Sequence, residues 1–276
     1  MKAKLLVITP FSCTIELDED SSVLSPYYSS QNFDVYINGN LKFIQNNLNV
    51  FSIYDLEPNK DYLVELKFST ETISLNFKTK QIENKRVIKY EGEKDYTKLI
   101  QDAINNVGFN GAVIIEEGVY NVKPLFLDHG VTVYLKKGAH LLASTNRADY
   151  PILDELMNGL PLGTWEGRLS KMFASVITGI RIKHAAVIGE GTIDGNAQNG
   201  DWWIDHKKIR GGARPRDIYL NYCDDILIQG VTVCNTACWT IHPYYSDNVK
   251  LINLKVRNPK ISPNTDGCDP ESVYNL

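Results

Sequence analysis

Apolar and polar positions alternate in short runs over roughly the first 80 residues. These runs are Leu5–Ile8, Thr14–Leu17, Phe33–Ile37, Val50–Tyr54, Tyr62–Phe68 and Ser74–Lys78. A period of two places one set of side chains on a common face, so each run predicts a half-buried strand. Asn38-Gly39-Asn40 between two runs predicts a tight hairpin, because Asn and Gly accept positive φ. Six or seven short strands at this spacing predict a β-sandwich. The polar stretch Gln81–Arg86 reads as a linker and divides the chain into residues 1–84 and 85–276. The period then changes: Asp95–Asn105 carries Leu99, Ile100, Ala103 and Ile104 at helical spacing, with Asp95 or Thr97 as N-cap. Val- and Ile-rich strands broken by Gly and Asn follow without a second long helix, which excludes an alternating βα fold.

An internal repeat identifies the second domain. Asp225–Asn235 aligns without gaps to Asn248–Asn258 at an offset of 23 residues, pairing Ile226/Val249, Ile228/Leu251, Val231/Leu254 and Val233/Val256. A unit this short cannot bury its own apolar face, so it must stack on copies of itself. Looser rungs precede it at Val113–Ile115, Val131–Leu135 and Val187–Ile193. The fold expected is therefore all-β, a sandwich followed by a parallel β-helix that the Asp95–Asn105 helix caps. Ser272–Leu276 begins another rung. An open strand edge and an uncovered stack are features repeat proteins cap, so the chain is expected to be a fragment of a longer β-helix.

Bulk properties narrow the function. The net charge of −4 is spread without blocks, which argues against nucleic acid as the main partner. A local Arg or Lys cluster can still meet an acidic substrate. No apolar run approaches the ~20 residues of a membrane-spanning helix, so no membrane partner is expected. Met1–Pro10 lacks the long apolar stretch of an export signal. Five cysteines, Cys13, Cys223, Cys234, Cys238 and Cys268, show no disulfide or zinc spacing. They read as small buried thiols, with a cytoplasmic location expected and neither metal nor cofactor.

Two stretches carry family resemblances. Leu56-Glu57-Pro58-Asn59-Lys60-Asp61-Tyr62 resembles the fibronectin type III corner, in which a Tyr bonds back to upstream backbone. Ser262-Pro263-Asn264-Thr265-Asp266-Gly267-Cys268-Asp269-Pro270 resembles the Asn-Thr-Asp signature of family 28 glycoside hydrolases, the polygalacturonases, in its bacterial exo-acting form. Gly191–Asn196 with Trp202-Trp203, Arg214-Pro215 and Trp239-Thr240-Ile241-His242-Pro243 agree with it in order and spacing.

The resemblance covers about Asp95 to Leu276 and implies a right-handed, pectin-lyase-like β-helix. It further implies an inverting enzyme acting on α-1,4-linked galacturonate, in which one carboxyl group protonates the leaving oxygen and another activates water. It makes Asp266 the water-activating carboxylate. The family's Asp-Asp pair, with the general acid, and its His-Gly and Arg-Ile-Lys motifs would lie beyond Leu276, which predicts an inactive chain. Asp269 is a second candidate, although residues three apart on a strand face opposite sides unless the chain bends. Asn264, Arg214, His242 and Trp239 are the candidate substrate contacts, Arg for carboxylates and Trp for a sugar face. Asp224-Asp225 looks like the missing pair but lies upstream of the signature, and the repeat makes it a rung turn. Rhamnogalacturonan or xylogalacturonan hydrolysis and a non-catalytic sugar-binding β-helix remain the alternatives, and the oligomeric state stays open.

Overall fold

The computed structural model describes residues 1–18 and 27–276. They form two compact units, Met1–Ile82 and Glu83–Leu276.

The first unit has two antiparallel sheets. One holds Lys2–Ile8, Cys13–Asp18 and Val50–Ile53; the other orders Asn40–Leu48, Tyr28–Ile37, Asp61–Lys67 and Thr72–Lys78. Their inward residues, Ile15, Phe33, Val35, Ile53, Val64 and Leu66 among them, share one core, as strand alternation requires. Ile37 pairs with Asn40 across the two-residue turn, where Asn38 and Gly39 take φ of 47° and 79°. The alternation pattern misses the strand Asn40–Leu48. It carries Lys42, Gln45, Asn46 and Asn47, lies at the sheet edge, and is kinked by Gln45 at φ 51°. Tyr62 accepts the Glu57 N–H on its hydroxyl at 2.8 Å.

The second unit is a three-faced parallel β-helix. Its first face orders Asp247–Ile252, Asp224–Gln229, Ala186–Gly189, Thr132–Leu135, Ala112–Ile115 and Lys85–Ile88. The second orders Gly118–Val122, Ala139–Ala143, Thr192–Asp194, Thr232–Cys234 and Lys255–Arg257; the third Leu125–Phe126, Ile177–Ile180, Ile218–Asn221 and Ile241–Tyr244. The strand Lys85–Ile88 begins inside the stretch expected to be a linker, because its backbone pairs with Ala112–Ile115.

The repeat stacks in register: Ile226 lies over Val249, Ile228 over Leu251 and Val233 over Val256. Val133, Val187, Ile193, Ile228 and Val233 join one continuous core. From Ile177–Ile180 onward, turns between the third and first faces use two left-handed residues three apart: Arg181 and His184, Tyr222 and Asp225, Tyr245 and Asn248, Ser272 and Asn275. Asp225, Asn248, Ser272 and Asn275 suit that conformation, because short polar side chains bond locally. His184 Nδ1 meets Asp225 at 2.8 Å and Asn248 donates to Asp224 at 2.8 Å, so Asp224-Asp225 occupies a rung turn.

The helix spans Thr97–Val107 and buries Ile100, Ala103, Ile104 and Val107. Leu99, expected on its inner face, is 51% exposed. The i, i+3, i+4, i+7 stripe starting at Ile100 leaves Leu99 to one side. Asp95 accepts the Thr97 N–H at 2.8 Å.

Two excursions leave the corner between the second and third faces. Residues 144–176 include the short strand pairs Ile152–Leu153 with Met172–Phe173 and Thr164–Trp165 with Arg168–Leu169. Residues 195–217 are anchored by Trp202, which is fully buried against Tyr150 and Phe173 and covered by the Arg147 guanidinium at 4.0 Å. These insertions explain why the earlier rungs show no clean 23-residue period.

Candidate active site

The Asn-Thr-Asp stretch occupies the same corner two rungs beyond the second excursion, between Lys255–Arg257 and Cys268, which bridges Ile241. The corner is held from behind. Arg214 donates to the Ala237 and Pro263 carbonyls at 2.5 and 3.0 Å and to Asn264 Oδ1 at 2.7 Å. Asn258 donates to the Thr265 carbonyl at 3.1 Å and Thr240 N–H to the Asp266 carbonyl at 2.9 Å. These bonds use backbone and neighbouring side chains and leave the Asp266 side chain exposed.

The third face carries the rest. Its inward residues, Ile218, Leu220 and Ile241, belong to the core, so Tyr219, His242 and Asp269, and likewise Asn221, Tyr244 and Glu271, point outward. The parallel bridges Ile241–Cys268 and Tyr244–Glu271 put Asp269 beside His242. A bend at Gly267 breaks the strand alternation between Asp266 and Asp269. Burial first, then the Asp266 charge, pushes the Asp269 carboxyl up to about 6. Asp269 Oδ2, His242 Nε2 and Arg214 Nε are buried without a protein hydrogen-bond partner.

Above this face sits an arginine–tryptophan stack. Trp165 and Trp239 are parallel with centroids 5.8 Å apart. The Arg216 guanidinium lies 5.6 Å from one ring and 5.1 Å from the other, and that of Arg214 lies 5.4 Å from Trp165. Cations over indole faces are favourable, more so when shielded from water. Arg216 is fully buried and donates to His242 Nδ1 at 3.1 Å and to the Thr164 and Arg214 carbonyls at 3.0 Å each. Glu271 accepts from Thr164 at 3.2 Å and faces His242 Nε2 at 3.3 Å. Burial foremost, offset in part by Glu271, lowers His242 to about 4.

Asn264, Asp266, Asp269, Arg214 and Trp239 thus come together at one corner. His242 and Arg214 differ from the expectation of direct sugar contact. His242 is completely buried and Arg214 is 5% exposed, because the excursion at residues 144–176 lies over the third face. Sequence reasoning missed Trp165, Arg216 and Glu271. Arg216 was visible two residues after Arg214, just ahead of the strand Ile218–Asn221; Trp165 sits in an insertion with no repeat to place it. Of the five thiols, Cys13, Cys223 and Cys238 are buried, Cys234 is half-buried and Cys268 is exposed.

By its architecture the second unit is a parallel β-helix with paired carboxyl groups at one corner. Residues 160–276 match glycosyl hydrolases family 28. The chain is 31% identical over 195 residues to a probable polygalacturonase of Vitis vinifera, covering 67% of this chain and 38% of that relative. The polygalacturonase structure of Erwinia carotovora ssp. carotovora is 25% identical with a TM-score of 0.56, covering 68% of this chain and 52% of that one. The fold is also that of the Yersinia enterocolitica family 28 exopolygalacturonase, with a TM-score of 0.66 and 17% identity over 98% of this chain and 61% of that one. The chain spans well under half the length of the curated relatives it matches. The segment at residues 160–276 is thus similar to family 28 glycosyl hydrolases.

Proposed function

We propose that this β-helix hydrolyses α-1,4-galacturonosidic bonds of pectate or oligogalacturonates with inversion, from a chain end, and that the N-terminal sandwich is a fibronectin type III-like domain. The observation that carries the reading is the Asp266–Asp269 pair beneath the arginine–tryptophan stack, within the segment that matches the family. Asp266, exposed and held only through its backbone, is the carboxylate that activates water. Asp269, held protonated up to about pH 6 by its surroundings, sits beside it as a proton store. Glycoside hydrolysis by inversion pairs a water-activating carboxylate with a carboxylic acid that protonates the leaving oxygen; Asp266 fills the first role, and the second falls to the family's Asp-Asp pair. Asn264 and Trp239 contact the sugar, while Arg214 and His242 position the corner. No Asp-Asp, His-Gly or Arg-Ile-Lys motif follows Asp269 among these 276 residues, so this chain alone is proposed to be inactive.

Reducing-sugar release from polygalacturonate tests this on the 276-residue chain and on one extended through a complete family 28 domain. Robust release by the extended chain, near-zero release by the short one, and α-to-β inversion by NMR are expected. Equal release by both would overturn the assignment of the missing acid. Rhamnogalacturonan as the only cleaved polymer would move the substrate.

A further inference from the structure

The second excursion leaves the β-helix at Gly195 and returns at Asp217, and the two ends of this neck lie in contact. A Cβ on Gly195 would fall 2.3 Å from Asp217 Oδ1, so the approach requires glycine. Asp217 is 1% exposed, and its Oδ2 is buried without a hydrogen-bond partner. Its backbone is fixed in the stacked rungs. The Ile177 N–H donates to the Asp217 carbonyl at 2.8 Å, and the Asp217 N–H to the Thr240 carbonyl at 3.2 Å. The Thr240 N–H donates in turn to the Asp266 carbonyl. Thr240 thus links the Asp217 backbone to that of Asp266.

The ionisable groups around Asp217 are Asp194 and Cys234 on the second face, Tyr150 in the first excursion and Cys238 ahead of Ile241–Tyr244. Burial disfavours the Asp194 charge, but His140 at 3.1 Å, Asn235 at 3.0 Å and the Asn196 N–H at 2.8 Å hold that carboxyl below its usual range. Arg214 and Arg216 precede Asp217, but their guanidiniums are bonded to Pro263, Asn264, His242 and Thr164. Burial first, then the Asp194 charge, push the Asp217 carboxyl well above its ordinary value, against hydrogen bonding from Thr236 and the Gly195 backbone. A carboxylate there is a buried charge with one oxygen unanswered and an anion alongside, which costs more than a neutral carboxyl. Water at Oδ2 relieves that cost, and it enters only if Gly195 and Asp217 part.

We infer that Asp217 is a clasp: its neutral carboxyl closes the neck of the second excursion, and losing the proton opens the neck and loosens Thr240 beneath Asp266. The clasp stands apart from the proposed function; only its effect on Asp266 as the water-activating group rests on that reading.

Unfolding of the 276-residue chain across a series of pH values, in wild type and Asp217→Asn, tests it. The unfolded chain loses this proton near its ordinary 3.8 while the folded chain keeps it, so stability falls as pH rises until the folded value is passed. The Asn variant has no such loss. Its folded-to-unfolded ratio relative to wild type is expected to grow about tenfold per pH unit through this range. At one alkaline pH, amide exchange read by mass spectrometry is expected to be faster in wild type than in the variant for peptides holding Gly195 and Thr240. Should the variant not fold, the infrared spectrum of wild type decides: a protonated-carboxyl band is expected to persist well above about pH 6, where Asp269 has ionised. A difference between the chains that does not change with pH, equal exchange of both peptides, or no such band would overturn the clasp. Hydrolysis by the extended chain decides the proposed function separately. Cleavage with a flat pH difference removes the clasp and keeps the function; a growing difference without cleavage does the reverse.

Discussion

Arg216 donates its Nε–H to Nδ1 of His242 across 3.1 Å. Both side chains are fully buried, and the bond fixes the imidazole tautomer: Nδ1 accepts, so the proton sits on Nε2, facing Glu271. The sequence motif around His242 therefore builds a support. His242 holds Arg216, Arg216 lies beside the two stacked indoles and bonds the Thr164 carbonyl, and the excursion is thereby tied to the third face.

Removing Arg216 should loosen that tie. Arg216→Met leaves His242 Nδ1 and the Thr164 carbonyl without their donor, and each buried unpaired polar group costs roughly 1–3 kcal/mol. A loss of about 2–4 kcal/mol is expected by denaturant unfolding, together with a red-shifted tryptophan emission as Trp165 and Trp239 separate. An unchanged midpoint would show that the guanidinium contributes nothing net.

The His242 shift makes a pH prediction with a definite sign. Its folded value, about 4, lies below its ordinary 6.5, so the unfolded chain binds the proton more readily between those values. The contribution is fully present above pH 6.5 and is lost as pH falls through about 4. Asp269 has the opposite sign: raised from 3.8 to about 6, it contributes below 3.8 and loses that contribution as pH rises through 6. Comparing wild type with His242→Gln separates the two, since the difference in midpoint should shrink as pH falls from 6.5 to 4. A difference independent of pH would mean that His242 titrates normally.

Asp266→Asn should abolish hydrolysis by the extended chain while leaving the fold intact, because only the Asp266 backbone is engaged by the corner. Loss of a general base lowers turnover by roughly 10²–10⁴-fold. A melting temperature unchanged within a degree or so, with lost turnover, separates chemistry from folding.

Ile228→Ala tests the stack. Its side chain is completely buried in the β-helix core and its strand pairs with Asp247–Ile252. Truncating a buried Ile costs about 2–5 kcal/mol. Tyr62→Phe in the first unit should cost less, about 1 kcal/mol, because it removes one hydrogen bond to Glu57 N–H. Equal losses in calorimetry of the two variants would contradict this ranking.

The chain's own pattern determined the stacked architecture. Ile226, Ile228 and Val233 recur 23 residues on as Val249, Leu251 and Val256, and such a unit buries its apolar face only against its copy, so local periodicity carries the fold. The hairpin at Asn38-Gly39 was equally legible, since positive φ is a local demand. Tertiary structure alone decided the surroundings of the carboxylates. Trp165 and Arg216 are 51 residues apart in sequence and meet because an excursion folds across the outward side of a strand, a contact with no period to announce it. The same covering buried His242 and Arg214: burial depends on what lies over a residue, which its neighbours in sequence do not specify.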